Sequence, residues 1–123
     1  LMGHLLKDCL YVIEDCGVAY LLLSDADKRL YNFAIGDSEG FVNLPLSIKG
    51  IRISALFSEL DKGQDKYIRV SLRSKGDLDV NRFASLYCNG GGHLNAAGGR
   101  LYMPFEKVGP YIEKSFREFL KIG

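Results

Sequence analysis

The chain has 123 residues, close to half of them apolar, with 16 basic against 15 acidic side chains and a formal net charge of +1. That length buries one core and is too short for two ordinary domains, so one globular domain over residues 1–123 is expected. The balanced charge excludes the broad positive field of a protein that holds long duplex nucleic acid, while leaving short or small anionic ligands open, and no apolar run nears the roughly 20 residues that span a bilayer.

Met2, Leu5, Leu6, Cys9, Val12, Ile13 and Cys16 recur at helical spacing before Gly17, which predicts an amphipathic first helix with a glycine cap. Val18 to Leu23 is a continuous apolar run suited to a strand covered on both faces. Ser24 and Asp25 offer capping chemistry for a short polar helix toward Phe33, and Gly36 to Pro45 reads as a loop with a short helix. Ile51, Ile53, Ala55 and Phe57 alternate with Arg52, Ser54 and Leu56, predicting a strand with one apolar face. The polar turn Asp61 to Asp65 should join it as a hairpin to Lys66–Ser74, where Ile68, Val70 and Leu72 point one way and Tyr67, Arg69, Ser71 and Arg73 the other. A short helix over Val80 to Tyr87, a strand over Arg100 to Met103 and a C-terminal amphipathic helix from Phe105 to Leu120, with Pro110 near its first turn, complete the chain. The order argues for a compact α/β fold, a mixed sheet with flanking helices.

Leu1 stands where a methionine would begin a protein and no signal pattern follows, so the chain reads as a soluble, cytoplasmic piece of a longer protein. Cys9, Cys16 and Cys88 form neither an even set nor a C-x-x-C pair, which fits buried free thiols. With His4 and His93 as the two histidines, a self-contained metal site is not expected.

The segment Asn89-Gly90-Gly91-Gly92-His93-Leu94-Asn95-Ala96-Ala97-Gly98-Gly99 strips side chains from a stretch of backbone, letting its N–H groups approach an anion. A helix turn starting near Leu94 would add unpaired N–H groups, and His93 would supply a directional donor beside them. The spacing fits neither a dinucleotide-binding G-x-G-x-x-G nor a P-loop, and a tight structural turn explains the glycines equally well. Arg69, Ser71 and Arg73 on one strand face, with Ser74 and Lys75 at its end, form a second polar cluster that suits phosphate as well as it suits a solvated sheet face. Asp37 and Glu39 are read as surface loop charges, with shaping the loop, meeting a neighbouring domain or half of a metal site as alternatives. Tyr67, Tyr87 and Tyr102 could stack a base, with packing as the plainer use of each.

Gly90-Gly91-Gly92-His93 followed by Ala96-Ala97-Gly98 resembles the signature of the DHH-associated C-terminal domain found in DHH superfamily phosphoesterases. Asp37 to Asn43, Ser47 to Gly50, Val70 to Ser74 and Asp79 to Asn81 are similar to the bacterial nanoRNase and pAp phosphatase branch, often labelled exopolyphosphatase-related. The resemblance implies a manganese-dependent hydrolase that cuts short oligoribonucleotides and adenosine 3',5'-bisphosphate. Its metal and catalytic residues would lie on the protein's own N-terminal DHH domain, leaving no catalytic or metal residue here. The same resemblance implies substrate contacts at Arg73, Ser71, Ser74, Gly90, Gly91, Gly92, His93, Asn95 and Ala96, with no membrane partner and room for a homodimer of the full-length protein. Two alternatives are an RNA-binding module such as the one that closes some alanyl-tRNA synthetases, and part of a cyclic-dinucleotide phosphodiesterase.

Overall fold

The computed structural model describes residues 9–30, 42–63 and 65–121. Strands β1 (Leu10–Ile13), β2 (Val18–Leu23), β3 (Ile53–Lys62), β4 (Asp65–Ser74), β5 (Gly91–His93) and β6 (Ala96–Leu101) form one sheet in the order β1-β2-β3-β4-β6-β5. β2 and β3 run parallel and every other neighbouring pair antiparallel, so the sheet is mixed. A parallel pair needs a long crossover, and the connection from β2 to β3 carries helix α1 (Asp25–Leu30). Helices α2 (Val80–Tyr87) and α3 (Val108–Leu120) complete the α/β fold expected from the sequence.

Period-two alternation gives β3 and β4 a face of Ile53, Ala55, Phe57, Ile68, Val70 and Leu72, which packs with Phe83 of α2 and with Ile112 and Phe116 of α3. Phe83 stacks on Phe116 with ring centroids 4.1 Å apart and planes 5° from parallel. Asp79 caps α2, its side chain accepting from the Arg82 N–H. Ser24 and Asp27 bond reciprocally at the start of α1, Ser24 Oγ accepting from the Asp27 N–H at 3.0 Å and Asp27 Oδ2 from the Ser24 N–H at 3.2 Å.

The opposite sheet face changes character from strand to strand. Over β2 and β3 it is apolar, where Leu21, Leu23 and Leu56 cluster with Cys9 and Val42, so β2 is buried on both sides as its apolar run predicts. Cross-strand register carries the row Leu21, Leu56 on to Ser71 of β4, Gly98 of β6 and Gly91 of β5. The apolar cover ends at β3, and β4 begins a polar face.

Four expectations need correction. In the described part of the predicted first helix Cys9 is helical, but Leu10 to Cys16 are instead β1 followed by a 3-10 turn over Glu14–Cys16, capped by Gly17 at φ 67°. The described apolar residues divide, with Cys9 in the smaller cluster and Ile13 and Cys16 in the main core, while Val12, which a helical stripe would bury, is exposed with Tyr11. The aromatic and β-branched run Tyr11-Val12-Ile13 pairs with β2, and that ladder overrides helical spacing. No helix turn begins near Leu94, because Leu94 and Asn95 form the two-residue turn between β5 and β6, and β6 starts at Ala96 rather than Arg100. β3 is buried on both faces, with Ser54 and Leu56 as inaccessible as Ile53 and Phe57, and it runs on to Lys62. Met2 to Leu6, Asp37 and Glu39 lie outside the described residues.

Candidate functional site: a cationic groove on β4 and β6

Register fixes which side chains share the polar face. Arg69 lies opposite Arg100, Ser71 opposite Gly98 and Arg73 opposite Ala96, so three rows alternate large cationic residues with a floor of small ones. These residues, with Tyr67 and the backbone of Asn89 to Gly92, line a groove of about 790 Å³. Three guanidiniums border it, and none of the residues lining it is acidic. Arg73 Nη1 donates to the Leu72 carbonyl oxygen at 2.8 Å, and the Arg100 guanidinium lies 4.4 Å from the centre of the Tyr67 ring.

The residues singled out from sequence divide by position. Arg73, Ser71, Gly90, Gly91, Gly92 and Ala96 line the groove. His93 is exposed and stands at its margin, in register with Ala96, which is itself opposite Arg73, so the three residues form one row across β5, β6 and β4. Ser74 and Asn95 hold the loop together. Ser74 is buried and donates its hydroxyl to the Leu78 carbonyl oxygen at 2.6 Å, while the Asn95 side-chain amide donates to Ser74 Oγ at 2.9 Å and to the Gly76 carbonyl oxygen at 3.1 Å. The backbone joins the same tie, since the Ser74 N–H donates to the Asn95 carbonyl oxygen at 3.1 Å and the Val80 N–H to that of Leu94 at 2.9 Å.

The glycines have a structural reason that stands beside any ligand. A Cβ on Gly90 would lie 2.0 Å from the Gly98 carbonyl oxygen, and one on Gly99 would lie 2.2 Å from that of Cys88. Such close approach lets the Arg100 N–H donate to the Cys88 carbonyl oxygen at 2.7 Å, and Asn89, itself at φ 53°, adds a side-chain bond to the Arg100 carbonyl oxygen at 3.0 Å. The Gly92 N–H is held by Asn81 Oδ1 at 2.8 Å, which ties the loop to α2.

Arg100 is the groove residue that sequence reasoning left out. Its signal was its even spacing from Ala96 and Gly98, which shows only once the strand is known to begin at Ala96. Tyr87 is a packing residue, with its ring 4.9 Å from that of Phe83. Among the described residues no three His, Cys, Asp or Glu side chains gather closely enough to hold a metal ion. No helix among them is long and apolar enough to cross a membrane.

Comparison with known proteins agrees with this architecture. The chain is 31% identical over 101 residues to a probable bifunctional oligoribonuclease and PAP phosphatase, NrnA, of Streptococcus mutans, the match covering 82% of this chain and 31% of that protein. It is 39% identical over 72 residues to a 3',5'-cyclic-nucleotide phosphodiesterase of Helicobacter pylori, covering 53% of this chain and 20% of that one. The crystal structure of an exopolyphosphatase-related protein from Bacteroides fragilis superposes with a TM-score of 0.86 at 36% identity, covering 98% of this chain and 34% of that one. The chain therefore spans about a third or less of the length of these relatives. The DHHA1 domain profile matches residues 19–122, from the start of β2 past the end of α3, and the chain belongs to the DHHA1 domain family.

Proposed function

We propose that this domain receives the phosphate end of a nucleotide or short oligoribonucleotide in the groove on β4 and β6, and presents it to a DHH domain that hydrolyses the phosphoester. The observation that carries this reading is the groove itself, in which three arginines border a floor of glycine, alanine and serine and no lining residue is acidic, on a chain whose overall charge is nearly balanced. A guanidinium can give a phosphate two parallel hydrogen bonds, and a floor without large side chains admits the anion to the backbone. Arg73 and Ser71 grip the phosphate end, and His93, in the same row as Arg73, supplies a further donor from the groove margin. Ser74 and Asn95 act through the loop they fix. On this reading manganese and the reacting water belong to the DHH domain, and this chain alone turns nothing over.

The test is kinetic, in the intact protein that carries this domain. Removing a charge-assisted hydrogen bond costs about 1.5–3 kcal/mol, so Arg73→Ala and His93→Ala should each lower kcat/KM on short oligoribonucleotides by roughly ten- to a hundredfold with metal content unchanged. Wild-type kinetics in both variants would sink the reading. The cyclic-nucleotide phosphodiesterase among the relatives favours a second reading, a cyclic nucleotide in the same groove. Comparing adenosine 3',5'-bisphosphate, a short oligoribonucleotide and 3',5'-cyclic AMP as substrates separates the two.

A further inference from the structure

We propose that the far end of the groove holds a second nucleotide unit of the substrate, its phosphate on Arg69 and Arg100 and its base against Tyr67 and Tyr102, so that the domain selects chains over single nucleotides. This rests on the reading above and adds a length requirement to it. Arg69 and Arg100 are directly opposed across β4 and β6, an arrangement that like charges disfavour. Both are exposed, and neither has a carboxylate partner among the described residues. An anion between them removes the repulsion.

That anion is not the one at Arg73. Arg69 lies four positions from Arg73 on β4, about 13 Å along an extended strand, and the Arg100 guanidinium leans further away still, over the Tyr67 ring. Beyond it the surface becomes aromatic. The Tyr67 and Tyr102 rings stand 6.4 Å apart at 48°, and Tyr102, at 66% exposure, is the most exposed of the large apolar side chains among the described residues. Tyr67 also lines an adjoining cleft of about 340 Å³ shared with Tyr102, Glu59 and Asp61. The two carboxylates disfavour phosphate there, while an aromatic wall suits the flat face of any base. The groove thus reads phosphate, phosphate, base from Arg73 outward.

The test compares two probes in the intact protein, an adenylate pentaribonucleotide and adenosine 3',5'-bisphosphate. Arg100→Ala and Tyr102→Ala should each lower the ratio of kcat/KM for the pentanucleotide over the bisphosphate about tenfold, mainly through KM, and Tyr102→Phe should restore the ratio. Both side chains are exposed, so melting temperatures close to wild type are expected and confirm folding. An unchanged ratio in both alanine variants, or no rescue by phenylalanine, would overturn the second unit. Arg73→Ala, run beside them, reports on the first. If it leaves both probes at wild-type rates, the proposed function fails whatever the ratio does.

Discussion

Three serines on or beside the polar sheet face look alike in the sequence and do different things. Ser71 faces the groove opposite Gly98, and Ser74 is buried with its hydroxyl bonded on both sides. Ser54, in register with Arg73, is fully buried and its hydroxyl has no partner among the described residues. A buried hydroxyl without a hydrogen bond costs about 1–3 kcal/mol, so the two buried serines should respond to truncation with opposite signs. Ser54→Ala is expected to raise stability by about 1 kcal/mol. Ser74→Ala should lower it by about 1–2 kcal/mol, because the Asn95 amide loses one of its two acceptors and the hairpin turn keeps only its backbone tie to β4. Urea midpoints of the two variants decide it; a destabilised Ser54→Ala would mean that its hydroxyl is bonded after all.

At the scale of elements, legibility followed side-chain contrast. β4 and α2 were readable because Ile68, Val70 and Leu72 alternate cleanly with polar neighbours, and because Val80, Phe83 and Ala84 keep helical spacing. The hairpin β5–β6 was not, since glycine and alanine leave no alternation to read and the strand is imposed by pairing with β4. The same blankness hid Arg100 from the site, whereas Arg73 and Ser71 stood out on a strand with a clear period. β1 failed for the opposite reason, its apolar residues keeping helical spacing while Cys9 and Ile13 join different cores and Val12 is exposed. Conformation also separates the two explanations of the glycines. Gly90→Ala and Gly99→Ala force a methyl into a backbone carbonyl at 2.0 and 2.2 Å, and overpacking of this kind costs about 1–3 kcal/mol or more. Both variants should melt several degrees below wild type before any ligand is added. Unchanged melting would show that the segments at Cys88 and Gly98 need not approach so closely and that the glycines serve the ligand alone.

At the scale of the molecule, α2 and α3 cover one sheet face while the other passes from an apolar cluster at β2 and β3 to the arginine groove at β4 and β6. The strand bearing Arg100 is held against the core at Cys88, whose carbonyl accepts from the Arg100 N–H and whose thiol is fully buried at the end of α2. Burial pushes that thiol from 9.0 up to about 12. Tyr20 shifts the same way, first through burial and then through its hydrogen bond to the Glu113 carboxylate at 2.6 Å. Both groups are acids whose folded-state values lie above their unfolded ones, so the unfolded chain loses these protons first and the stability they lend is lost on the alkaline side. For Cys88 the contribution is whole below pH 9 and disappears as pH rises toward 12. Three pH units at about 1.4 kcal/mol each make the full loss on the order of 4 kcal/mol. Cys88→Ala deletes the ionising group at the cost of a small cavity, so this variant should start less stable at pH 7 and lose less between pH 9 and pH 11 than the parent. Urea midpoints measured across that range should therefore converge, with the native thiol refractory to alkylation at pH 9; midpoints that fall in parallel would mean that the Cys88 thiol ionises as readily in the folded chain as in the unfolded one.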